Sequence, residues 1–101
     1  MIHVIAIVAA KPGKRAQLLD LVRGNVPLVR AEAGCIEYLP LVDMTQSQAC
    51  FGDDTFLVVE KWHDEAALAR HRTAPHMVAY AEKSKDLVEK RAVYLMQALP
   101  D

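Results

Sequence analysis

The chain has 101 residues, of which 52% are hydrophobic but only 6% aromatic, and its formal net charge is −1. That length predicts one domain over residues 1–101 with little stability to spare, and the aliphatic surplus, more than one small core hides, predicts self-association as a homodimer. Basic and acidic residues are interspersed, so there is no concentrated positive face for nucleic acid, and Cys35 and Cys50 form neither a CxxC pair nor a disulfide framework, which fits a reducing cytoplasm.

The opening MIHVIAIVAAKPGK lacks a basic leader segment, and its apolar run of about eight residues is cut at once by Lys11, Pro12, Gly13 and Lys14. It reads as a first strand over residues 2–10, and no run approaches the roughly 20 apolar residues that span a bilayer. Leu18, Val22, Val26, Val29 and Ala33 then recur at helical spacing and predict a helix over about 13–32. Gly24 and Pro27 predict a kink in it, and Gly34 its stop. Residues 35–44 read as extended, with Ile36, Tyr38 and Val42 on one side and Pro40 marking an edge or bulge.

A polar stretch over 45–55 predicts a connecting loop. FLVVEKW at 56–62 is the clearest strand, and its period of two places Phe56, Val58, Glu60 and Trp62 on one face. Asp64 is placed to cap a short helix over 65–72, Thr73 and Pro75 start another to about 85, and RAVYLMQAL reads as a closing strand over 91–99. The order is β-α-β-β-α-α-β. Helices covering one side of four strands leave a second apolar face, for which a symmetric dimer supplies the cover.

Three of the four histidines and the only tryptophan fall within residues 60–76. Glu60 in a partly apolar cleft would be desolvated and able to exchange a proton, unless it pairs with Arg70 or Arg91. Trp62 offers a flat surface for stacking on an aromatic ligand, or anchors the core. His71 and His76 flank the break between two helices, so their rings can converge on one cleft; His76 is the better candidate base because a helix N-terminus favours its neutral form. His3 and His63 read as bystanders. Spacings of eight and five do not reproduce a zinc helix, and no GxGxxG, Walker loop or GxSxG occurs, so neither a metal nor a nucleotide or flavin cofactor is expected.

The stretches AEAGCIEYLPLVD and VVEKWHDEAALARHRTAPHMVAY resemble the antibiotic biosynthesis monooxygenase superfamily, most closely its bacterial quinol monooxygenases, over nearly the whole chain. The pattern E-x-W-x-(D/S)-x-x-x-L-x-x-H-x-x-(T/S)-P-H is met by Glu60, Trp62, Asp64, Leu68, His71, Pro75 and His76, with Ala74 departing from it. The resemblance implies an α+β ferredoxin-like fold with an antiparallel sheet, paired into a dimeric α+β barrel, and oxidation of a quinol or related polyphenol by O2 without a bound cofactor. A deprotonated hydroquinone is electron-rich enough to pass an electron to O2, so a base beside an aromatic slot suffices.

The residues expected to carry this chemistry are His76, His71 and Glu60 for protons, with Trp62, Tyr38, Val58 and Tyr80 shaping the pocket. Polyketide-oxidising members carry Asn and Tyr where this chain has Val58 and Leu68, and haem-degrading relatives carry Asn and His where it has Ile5 or Ile7 and Ala81. Neither substrate is expected. Two other readings fit the residues: an isomerase of small phosphorylated sugars, and a ligand-binding dimer without turnover.

Overall fold

A computed structural model describes residues Met1–Asp101. Its elements run β1 (Ile2–Ala10), α1 (Arg15–Arg30), β2 (Cys35–Leu41), β3 (Thr55–Trp62), α2 (Glu65–Thr73), α3 (Pro75–Ser84) and β4 (Val88–Met96). The four strands form one antiparallel sheet in the order β2-β3-β1-β4, a ferredoxin-like arrangement as expected. No helix is long and apolar enough to cross a membrane.

Alternation along β3 works as the sequence demands: Phe56, Val58, Glu60 and Trp62 are all buried on the face that carries the helices. On the central strand β1, Val4, Ala6 and Ala10 share that face, and α1 lays Leu18, Val22, Val26 and Val29 over them. Burying this aliphatic and aromatic set is the main favourable term in the fold, at about 25 cal/mol per Å² of apolar surface removed from water.

Several details differ from the sequence expectations, among them the ends of β2 at Leu41 and of β4 at Met96. Helix α1 runs through Pro27, as a helix over 13–32 requires, but ends at Arg30, two residues early. Gly34 serves contact rather than termination: at φ +86 its absent side chain lets the chain pass over α2, where an added Cβ would lie 2.5 Å from the Ala67 Cβ. Ile36 does not share a face with Tyr38, because Cys35 pairs with Trp62 and Glu37 with Lys61, so Ile36 is the extra residue of a bulge and is turned out to solvent. Pro40 sits on the edge strand β2, as its missing N–H requires. Strand β4 begins three residues before the expected Arg91, its first pair being Val88 with Ala10 past an irregularity in register.

The opposite face of the sheet has no covering element. Ile5, Ile7, Leu57, Val59, Leu39, Leu41 and Tyr94 occupy it by register, and Leu39, Leu41 and Tyr94 are exposed.

Candidate active site

The break between α2 and α3 is built by Ala74 and Pro75, after a helix whose start is fixed by Asp64. Asp64 caps α2, its Oδ1 accepting the Ala67 N–H at 2.8 Å. Ala74 is extended, with ψ 141, so it ends α2 and begins α3 at once, and Pro75 fits the first turn of α3 because its missing N–H has no partner there in any helix. His71 lies in the last turn of α2 and His76 in the first turn of α3, so the change of direction aims both rings at the same place.

That place is the carboxylate of Glu32, which follows α1. Its backbone is held on both sides, the Glu32 N–H donating to Val29 O at 2.9 Å and its carbonyl accepting from the Cys35 N–H at 3.2 Å. Glu32 Oε2 lies 2.8 Å from His71 Nδ1 and 2.8 Å from His76 Nε2. The Glu32 and His71 side chains are almost fully enclosed, and that of His76 is about one-fifth exposed. One oxygen therefore ties together three segments of chain. No group of three or more His, Cys, Asp or Glu side chains is arranged to hold a metal ion; these three meet one another instead.

Beside this cluster a cavity of about 440 Å³ lies between the sheet and the helices, and fourteen of its twenty lining residues are hydrophobic. Its polar wall includes Glu60 from β3, His71 from α2, Tyr38 from β2, Tyr80 from α3 and Asn25 from α1, with Arg72 and Arg91 as its cationic residues. His71 is stacked at a tilt against Trp62, ring centroids 4.5 Å apart, and meets the edge of Tyr38 at 5.8 Å. With Nδ1 taken by Glu32, His71 Nε2 has no protein partner. No buried side-chain nitrogen or oxygen lacks a hydrogen bond, so Nε2 is an accessible atom on a residue that lines the cavity.

Glu60 is buried, and the Trp62 Nε1–H donates to its Oε1 at 2.9 Å. Burial pushes its carboxyl above the usual range, opposed by the Trp62 hydrogen bond and by the charges of His71 and Arg91, and reinforced by Glu32. Tyr38 and Tyr80 are both pushed up, chiefly by burial, so both hydroxyls stay protonated donors at neutral pH. The cavity thus combines an accessible imidazole nitrogen, a carboxyl that holds its proton more readily than usual, and two phenols.

Of the residues singled out in the sequence, His71, Glu60, Tyr38, Val58 and Tyr80 line the cavity, whereas Trp62 and His76 do not. Trp62 is fully buried: its indole is spent on Glu60 and His71 and has no face left for a ligand. His76 bonds the same Glu32 oxygen as His71 but does not line the cavity. Glu60 forms no ion pair with Arg70 or Arg91, its partner being Trp62. Nothing in the sequence singles out Glu32. Its one sequence signal is the helix-ending segment AEAG, a single acid next to a predicted helix end, and its partners lie 39 and 44 residues away.

The sequence profile described as Antibiotic biosynthesis monooxygenase matches residues 1–83. The chain is 35% identical over 101 residues to a protein of Escherichia coli strain K12 named "Probable quinol monooxygenase YgiN", covering 96% of this chain and 97% of that one. Among solved structures, an antibiotic biosynthesis monooxygenase superposes with a TM-score of 0.85 at 30% identity, over 99% of this chain and all of the other. PA3566 from Pseudomonas aeruginosa superposes at 0.84 with 29% identity, over 98% of this chain and 94% of its own. With its profile, its full-length relative and its fold in agreement, the chain belongs to the antibiotic biosynthesis monooxygenase family.

Proposed function

We propose that the protein is a monooxygenase that oxidises a quinol or related polyphenol with O2, using no bound cofactor, and that His71 is its base. The observation that carries this reading is the His71 imidazole, whose Nδ1 is bonded to a buried carboxylate while Nε2 is left accessible at the wall of a largely apolar cavity. A neutral imidazole so held accepts a phenolic proton at Nε2, and the carboxylate behind it stabilises the imidazolium that forms. The quinolate then reduces O2. One oxygen atom enters the ring and the other leaves as water, so quinol and O2 give a hydroxylated quinone and H2O. The His71 proton returns to the departing oxygen, and Glu60, with its raised carboxyl, is the second group able to supply one.

Family membership supports the oxygenase class, and the name of the Escherichia coli relative supports the quinol. The apolar majority of the cavity wall suits a flat ring system better than a phosphorylated sugar. The uncovered sheet face supports a homodimer, the sheets of two copies closing on each other, in a cytoplasmic protein without nucleic-acid or membrane partners.

Oxygen uptake with chemically reduced menadione, after subtraction of autoxidation, tests the reading on protein stripped of metals and flavin. Wild type accelerates uptake and His71→Ala loses about 100-fold or more of that acceleration, within the range ascribed to a general base. A requirement for added metal or flavin would sink the cofactor-free part, and undiminished turnover in His71→Ala would sink the assignment of the base.

A further inference from the structure

We propose that Glu32 and His76 are positioning residues for His71: two imidazoles clamp one carboxylate oxygen, and the clamp decides which nitrogen of His71 meets the substrate. The inference rests on the reading of His71 as the cavity base and extends it to two residues that do not touch the cavity.

A carboxylate accepts hydrogen bonds and has none to give. Glu32 Oε2, at 2.8 Å from both His71 Nδ1 and His76 Nε2, therefore requires each ring to donate. For His71 this places the proton on Nδ1 and leaves the lone pair on Nε2, the accessible atom at the cavity wall. The opposite tautomer would set a lone pair against the carboxylate and a hydrogen toward the substrate, and such a ring accepts nothing. Glu32 thus selects the only neutral form of His71 that works as a base.

His76 acts through the same oxygen. Glu32 lies beyond the end of α1, and its side chain makes no hydrogen bond other than those to the two histidines. Bonded to His71 alone, the carboxylate could turn about its own side-chain torsions and carry the His71 ring with it. The second bond comes from α3, whose start is fixed by Pro75 and by the Met77 and Val78 N–H groups bonded to Ala74 O at 2.9 and 3.0 Å. The three segments that meet here are each pinned by their own backbone, so Oε2 is held from two directions. Trp62, tilted against the His71 ring, and Tyr38, edge-on to it, hold the plane of the ring while Glu32 fixes its edge.

A plain structural brace between α1 and the α2–α3 corner would use the same bonds, and it predicts different behaviour. If His76 only braces, its loss lowers the melting temperature and leaves the tautomer of His71 and the kcat of the folded protein where they were. If it positions, kcat falls and KM does not, because substrate still enters the same cavity.

The experiment is a set of variants read in two ways. In uniformly 15N-labelled protein without substrate, long-range imidazole correlations assign the tautomer of His71; kcat and KM are then measured with reduced menadione. Wild type shows Nδ1–H at His71. Glu32→Ala gives a mixture of tautomers, His76→Phe lowers kcat at least tenfold with KM within about twofold, and His76→Gln, which keeps an N–H donor, recovers most of that loss. A proton on Nε2 of His71 in wild type overturns the clamp, as does a His76→Phe protein that melts earlier but keeps its tautomer and kcat. The tautomer needs no turnover, so a wild type that oxidises no quinol defeats the proposed activity while the spectra still decide the clamp.

Discussion

The two faces of the sheet use the same kinds of residue to different ends. On the helix side, Phe56 and Trp62 of β3 are about 1% and 0% exposed, and the polar groups among them, Glu60 and His71, are each given a hydrogen-bond partner. On the other side Leu39, Leu41 and Tyr94 stand 39%, 42% and 51% exposed with nothing against them. Neighbouring residues of one strand thus alternate between a closed chemical site and an open apolar surface. Buried polar chemistry lies on the face where helices exclude water and supply partners; the bare face carries apolar side chains and one Lys–Glu pair, Lys61 with Glu37 at 3.3 Å.

The sharpest way to break that contrast is to put a charge on the bare face. Ile7 lies on the central strand between Leu57 and Ala92. In the proposed homodimer Ile7→Asp buries a charge twice, which weakens association by several kcal/mol and leaves a monomer in sedimentation analysis. Because Ile7 is only half-buried within one chain, the monomer keeps its helix content. An unchanged mass for this variant would mean that the bare face is not where copies meet.

On the helix side, Trp62→Phe keeps most of the apolar volume but removes the N–H that bonds Glu60. A buried carboxyl then loses its donor, at a cost of roughly 1–3 kcal/mol, read as a lower urea midpoint. The stack that holds the His71 ring is weakened in the same variant, so kcat falls as well. A midpoint matching wild type would show that Glu60 finds another partner.

The smallest expected effect concerns pH. The Glu60 carboxyl is raised above its ordinary value, chiefly by burial. A raised carboxyl favours the folded state below its unfolded pKa, and that contribution is lost as pH rises through the folded value. Glu60→Gln keeps an acceptor for Trp62 without a charge to bury. It is therefore more stable than wild type at neutral pH, and the advantage shrinks toward pH 4. Urea midpoints at the two pH values check it; an equal gain at both would assign the effect to something other than the charge.

How much of this was legible in advance depends on how far apart the interacting residues are. Asp64 as a cap, Pro75 as a first-turn residue and the β3 alternation rest on contacts within a few residues, and the structure has each of them. Plain alternation puts Ile36 on the wrong side because a bulge depends on how β2 registers against β3, and nothing in CIEYLPL alone marks the extra residue. For Trp62 the sequence gives the face and leaves a ligand-stacking and a core position both open; the structure puts it in the core. Alternation shows which side of a strand a residue faces, whereas whether the position opens onto a cavity depends on the helix above it. Glu32 was invisible because both of its partners lie on other elements.

The sequence by itself determined the order of elements, the helical break that carries His71 and His76, the apolar surplus that points to a partner, and through its motif the family. Periodicity and capping are local, and a family pattern is a string of residue types, so both survive without coordinates. Only the tertiary structure decided that Glu32 joins the two histidines, that His71 rather than His76 reaches the cavity, and that Trp62 supports the site from within the core. Those outcomes are set by the packing of α1, α2 and α3 over one sheet face, where shifts of an ångström or two decide whether two side chains meet on a third.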